Sequence, residues 1–123
     1  MEITLLTLLL IKHAFADLFL QTLRSGTDKT KYLGNGHRHY LEHGVGTLVI
    51  CLFFVNPTSA LLVSLLDYLI HWHVDWAKHH WIARHGWSSA DSGYWWAAAI
   101  DQALHYLTYC AIVLLLASHV YVF

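Results

Sequence analysis

Residues 60–81 read ALLVSLLDYLIHWHVDWAKHHW. The run is apolar enough for a membrane helix, and Asn56-Pro57-Thr58-Ser59 before it offers an N-cap and a proline for a first helical turn. Yet it carries Asp67, His71, Asp75 and Lys78. Four residues of α-helix turn through about 400°, so these side chains fall on one narrow stripe. A lipid-facing charge is expensive, so the stripe must face other helices.

Three further segments repeat the pattern. Residues 3–23 would span about 31 Å as a helix and carry His13, Asp17 and Gln21 at intervals of four. Residues 40–55 form a shorter apolar run, with His39 and His43 at its start. Residues 94–122 carry Asp101, His105 and Thr108 on one side, with Ser88, Ser89 and Asp91 available as caps. No segment alternates as a strand would. The expected architecture is therefore all-α: a four-helix transmembrane bundle with a polar His/Asp interior. It forms one integral membrane domain over residues 1–123, with helices about 2–24, 38–56, 58–84 and 89–122.

Composition agrees. Of 123 residues, 57% are hydrophobic and 12% charged, and the mean hydropathy is +0.45. That excludes a disordered chain. A net charge of -1 argues against nucleic acid as a partner, and two separated cysteines exclude a disulfide framework or a cysteine zinc knuckle. Ala14-Phe15-Ala16 has the form of a signal-peptidase site. Glu2, Lys12 and His13 do not fit a signal peptide, so an intact N-terminus is expected. Arg24, Lys29, Lys31 and Arg38 lie in the first loop, and Lys78 and Arg84 near the third. The positive-inside rule puts those loops in the cytoplasm and both termini outside. Trp72, Trp76, Trp81, Trp87, Trp95 and Trp96 cluster at the same level, as an interfacial belt would.

Eleven histidines are the anomaly. Counted inward from Arg24, Arg38, Arg84 and Asp91, the His/Asp pairs all fall roughly 8 to 21 Å from the cytoplasmic end, at 1.5 Å per residue. They can meet in one layer. Imidazoles and carboxylates converging in a dry bundle are ligands for a divalent metal, with zinc the first choice and iron or manganese as alternatives. The candidates are His13, Asp17, His39, His43, His71, Asp75, Asp101 and His105, with His39 and His43 competing for one role. They outnumber the needs of one ion, which leaves room for two metals or for Asp–His pairs that orient the rings. Lys12, deep in the first segment, is expected to pair with Asp67 or to snorkel. Tyr40, Tyr68, Tyr106 and Tyr109 read as packing or interface residues. His79, His80 and His85 read as solvent-facing.

LLLIKHAFADLFLQ (8–21), HWHVDWAK (71–78) and DQALHYL (101–107) together resemble a small membrane family of bacteria and their phages, the domain of unknown function DUF3307. The positions matching its pattern are His13, Asp17 and Gln21; His43 or His39; His71, Asp75 and Lys78; and Asp101, Gln102 and His105. The resemblance implies an integral protein of the bacterial inner membrane and brings no established activity. A looser similarity connects the His/Asp helices with inner-membrane proteins labelled metal-dependent hydrolases. The expectation is then a metal-dependent hydrolase acting on a membrane lipid or lipid-linked substrate, with Asp75, Asp101 and Lys78 in catalytic roles. Homo-oligomers are compatible with it. The competing expectation is a non-enzymatic envelope component or oligomeric channel, and behind it a haem or di-iron redox protein.

Overall fold

A computed structural model describes residues 1–21 and 28–118. Arg24 and the tail with Phe123 lie outside the described residues. Four helices follow one another: α1 (Glu2–Phe15), continued by a π-helical turn over Ala16–Leu20; α2 (Gly36–Cys51); α3 (Pro57–His85); and α4 (Ser92–Leu116). Among the described residues there is no strand. The helices pack as a ring, each against its two neighbours in the order α1, α2, α3, α4 and back to α1. Among the described residues, the continuous helix Glu2–Leu20 and α4 alone are long and apolar enough to cross a membrane. α2 has just 16 residues, and α3 has the length but is diluted by its own His, Asp and Lys.

Local chemistry explains most boundaries. Ser59 N–H donates to Asn56 Oδ1 at 2.9 Å and Pro57 occupies the first turn of α3, where its missing N–H is harmless. Gly86 ends α3 in the left-handed region, φ 65°, a conformation that penalises any Cβ. Asp91 precedes α4 but does not cap it. Its carboxylate turns back to accept from Ser88 N–H (2.7 Å) and Ser88 Oγ (3.0 Å). α2, expected over 38–56, starts at Gly36, where Gly34-Asn35 supplies the turn, and gives way after Cys51 to turns in which Phe53 and Phe54 N–H donate to Ile50 and Cys51 O. The π turn has no sequence signature. Gln21 N–H reaches Ala16 O at 2.9 Å, five residues back, and Gln21 then leaves the helix in an extended conformation.

The interior has two halves. At one end Leu5, Leu9, Cys51, Val55, Ala60, Ile112 and Leu116 form a dry apolar cluster. At the other the buried residues are polar: His13, Lys29, His39, His43, Asp67, His71, Asp75, Asp101 and His105. The outer surface is the reverse, with Ile3 81%, Leu18 75% and Leu114 75% exposed.

Candidate metal centre

Each helix contributes through the spacing of four noted above. On α1, His13 Nε2 and Asp17 Oδ2 are 3.2 Å apart. The π turn carries Asp17, so its backbone differs from the α-helix the spacing assumed. α2 brings His39 and His43, α3 brings His71 and Asp75, and α4 brings Asp101 and His105, every one of them buried.

The imidazoles form a stack. The His71 ring lies between those of His43 (centroids 3.6 Å apart) and His105 (4.0 Å). His39 stands edge-on to His43 at 4.6 Å. Among the described residues two groups have ligand atoms within 4.8 Å of one another and could hold a metal ion: Asp17, His39, His43 and His71; and His71, Asp75 and His105. His71 belongs to both. His39 and His43, competitors in the sequence, sit in the same group.

His13 and Asp101 fall outside both groups, and their hydrogen bonds explain it. Lys12 Nζ donates to Tyr109 Oη at 3.0 Å, which leaves the Tyr109 hydrogen for His13 Nδ1 at 3.1 Å. That assigns the remaining ring hydrogen to Nε2, which points at Gln102 Oε1 (3.3 Å) and Asp17. His13 therefore has partners for both nitrogens. Its ring still lies 5.0 to 5.6 Å from those of His43, His105 and His71. Asp101 Oδ2 is bound by Lys78 Nζ at 3.1 Å and by Gln102 Nε2 at 3.1 Å. Its Oδ1 is 3.5 Å from His105 Nε2 without forming a hydrogen bond.

Two lysines enter the site. Lys78 lies between Asp101 and Asp75, 4.0 Å from the latter. Lys29 is the residue that sequence reasoning missed. It counted there as a cytoplasmic loop charge, but it is only 4% exposed. Its Nζ donates to Asp75 Oδ2 at 2.7 Å and to Gln21 Oε1 at 3.1 Å. A lysine in a polar loop carries no local mark of such a destination. Tyr109 also exceeds the packing role expected of it, since it sets the state of His13.

Beside the stack, toward the apolar cluster, sits a second polar group. Lys12 Nζ pairs with Asp67 Oδ2 at 3.0 Å, and Thr47 Oγ1 donates to the same oxygen at 2.5 Å. The pairing alternative for Lys12 is the one realised. His79 is half-buried rather than solvent-facing, its Nδ1 2.8 Å from Asp75 O. His80 and His85 are exposed.

Most polar atoms in this interior are paired. Among the described residues eight buried side-chain atoms lack a hydrogen bond; Tyr40 Oη, Glu42 Oε2 and Asp101 Oδ1 are three of them, and the other five lie in one place. Both ring nitrogens of His71, both of His39 and Nδ1 of His43 are buried without a hydrogen bond. His39 Nε2 is 3.2 Å from Asp17 Oδ1, but at an angle that makes no bond. His43 Nε2 does bond that oxygen, at 3.0 Å. Each unpaired buried polar atom costs about 1–3 kcal/mol, so five in one cluster is a large penalty unless something binds them.

A family model described as protein of unknown function (DUF3307) matches residues 5–123, and the chain belongs to that family. No curated protein and no solved structure matches the chain.

Proposed function

We propose that this DUF3307 protein is a multi-pass protein of the bacterial inner membrane that holds a divalent metal between its helices and uses it to hydrolyse a lipid or lipid-linked substrate. The observation that carries the metal is His71. It is 1% exposed, neither of its ring nitrogens has a hydrogen bond, and it is common to both ligand groups. Imidazole and carboxylate donors suit zinc best, and iron or manganese also fit. Membrane residence is supported by the inverted surface, apolar outside and charged within, and by two helices of spanning length and apolarity. The charged first and third loops would face the cytoplasm, with both termini outside.

Charge balance points to one ion with room for an anion. Asp17, Asp75 and Asp101 face Lys29 and Lys78, leaving one net negative charge once the imidazoles are neutral, as metal ligands must be. A divalent ion turns that into one net positive charge, which a single anionic group entering the polar cavity would neutralise. A metal held there supplies a Lewis acid that makes water acidic near neutral pH. The residues around it do the rest. Asp17, the most exposed of the candidate ligands, would be the first to meet a molecule entering the site and could take a proton from it in exchange for its imidazole contacts. Asp75 positions His105, and Lys78, between Asp75 and Asp101, can steady a developing negative charge.

A haem is the weaker reading. The His43, His71 and His105 rings lie face to face at contact distance and leave no slot for a macrocycle. A pore along one bundle meets the apolar cluster of Leu5, Leu9, Val55 and Leu116. The test is the metal content of purified protein by elemental mass spectrometry. We expect about one equivalent of zinc, iron or manganese in the wild type and a loss of at least tenfold in His71→Ala at normal membrane yield. Equal, trace metal in both proteins would leave a structural polar network as the better account.

A further inference from the structure

The six residues of the two ligand groups differ in one respect. The Asp17 side chain is 28% exposed, whereas those of His39, His43, His71, Asp75 and His105 are at most 4% exposed. Any molecule that reaches the cluster from outside meets Asp17 first. Asp17 lines two cavities. One, of about 310 Å³, is polar and includes Gln21, Lys29 and Lys78. The other is a groove of about 590 Å³ between α1 and α4. Its walls are Leu6, Leu10, Ala14 and Leu18 on one side and Tyr106 and Cys110 on the other, and it ends on His13, Asp17 and Gln102.

We propose that this groove takes one hydrocarbon chain of a bilayer lipid sideways from the membrane and sets the chain's first polar linkage against Asp17. The inference rests on the membrane and metal readings above and adds the route and the part of the substrate that is recognised. Three features favour a lipid chain as the occupant. The end at Leu6, Leu10 and Cys110 is apolar, and the polar residues His13, Asp17 and Gln102 gather at the other end, beside Leu18, as an amphiphile's chain and first polar linkage require. From Leu6 to Asp17 is eleven residues, about 16 Å of helix, which is close to half of a ~30 Å hydrocarbon core and so the depth of one leaflet. Beyond Asp17 the polar cavity continues, so a headgroup has space where the chain ends. The other large apolar cavity, about 510 Å³ beside Trp81, Trp87 and Trp96, reaches Lys78 and Asp101 but no member of either ligand group. It is not the route.

The chain itself supplies a handle. Cys110 is exposed in the groove and Cys51 is buried. The protein is placed in nanodiscs of phosphatidylethanolamine and phosphatidylglycerol that contain a phospholipid with a diazirine in its acyl chain. After illumination, cross-linked peptides are mapped by mass spectrometry and zinc is measured on the same samples. Cross-links are expected to concentrate on residues 6–18 and 106–110 over the outward leucines of α3, Leu61, Leu62 and Leu65. Ala14→Phe, which narrows the groove from a wall position that is not itself a ligand, is expected to reduce them at least fivefold with zinc unchanged. Alkylation of Cys110 is expected to do the same. Even labelling of all outward faces overturns the proposal, and so does groove labelling that survives both blocks. A disulfide-linked dimer through Cys110 also overturns it, since a second copy then covers the groove. Groove labelling that is blocked as expected in a protein without metal would sink the metal reading and leave the groove standing.

Discussion

Lys12→Met tests whether the bundle depends on charge pairs buried between its helices. The Lys12 and Asp67 side chains are 9% and 2% exposed, with Nζ and Oδ2 3.0 Å apart. At that separation and an effective dielectric constant of about 20, Coulomb's law gives about 5.5 kcal/mol of attraction. Methionine keeps the stem and its packing but leaves the Asp67 carboxylate with Thr47 as its only hydrogen-bond donor. Losses of this kind run at about 3–5 kcal/mol when one partner of a buried pair is removed. Part of the loss is returned by the Thr47 hydroxyl, so we expect about 3–4 kcal/mol, a shift of two to three powers of ten in the folding equilibrium. The assay is reversible unfolding in mixed micelles with increasing dodecyl sulfate, followed by circular dichroism. Lys12→Met/Asp67→Leu removes both charges and is expected to recover to within about 1 kcal/mol of the wild type. A single variant within about 1 kcal/mol of the wild type, or a double variant no better than the single, would refute the reasoning.

Asp75→Asn keeps the shape of a ligand and removes its charge; metal content is expected to fall at least fivefold at normal membrane yield, and retention at wild-type stoichiometry counts against Asp75 as a ligand. Lys29→Met removes an ammonium 2.7 Å from Asp75; the metal-free protein is expected to lose about 3 kcal/mol of stability, while zinc competition assays show roughly tenfold tighter binding because a like charge no longer faces the ion. Single cysteines at Lys31 and Thr58, both exposed and on opposite ends of the bundle, are expected to react with an impermeant maleimide from opposite sides of the membrane, Lys31 from the cytoplasm; the same side for both would remove the orientation. The Ser88 N–H, with the Ser88 hydroxyl beside it, holds the Asp91 carboxyl below the ordinary carboxylate range. Its folded form is therefore favoured above the unfolded midpoint, and that contribution is lost as pH falls; Ser88→Ala should raise the Asp91 midpoint in an NMR titration, and an unchanged midpoint would leave the backbone bond as its whole cause.

Helical character was legible because it is local. Apolar residues over each segment and polar pairs at intervals of four are properties of neighbouring residues, and the α-helical repeat alone places them on stripes. His43, His71, Asp75 and His105 are buried on the inward faces that this repeat assigns. The start of α3 was legible for the same reason: Asn56 and Pro57 act within one turn. Membership of the DUF3307 family followed from the joint pattern of those stripes. The second helix, expected over 38–56, begins two residues earlier at Gly36, because hydropathy marks where a helix becomes apolar and not where its hydrogen bonds begin.

What the amino-acid sequence determined by itself is an all-helical chain with one polar stripe on each helix, since both follow from backbone geometry over a few residues. Tertiary structure alone decided how the stripes share their work. His13 and Asp101 have the same spacing as the other pairs, yet Tyr109, Lys78 and Gln102 already satisfy most of their polar atoms, while the nitrogens of His71 are left without partners. Lys29 reaches Asp75 across 46 positions of sequence, and Asp17, carried on the π turn, lies at the polar end of the groove. Such contacts depend on which side chains arrive at one point from separate helices. Spacing along the chain carries no record of that, because the free energy of a buried polar atom is set by the partners around it and not by its neighbours in sequence.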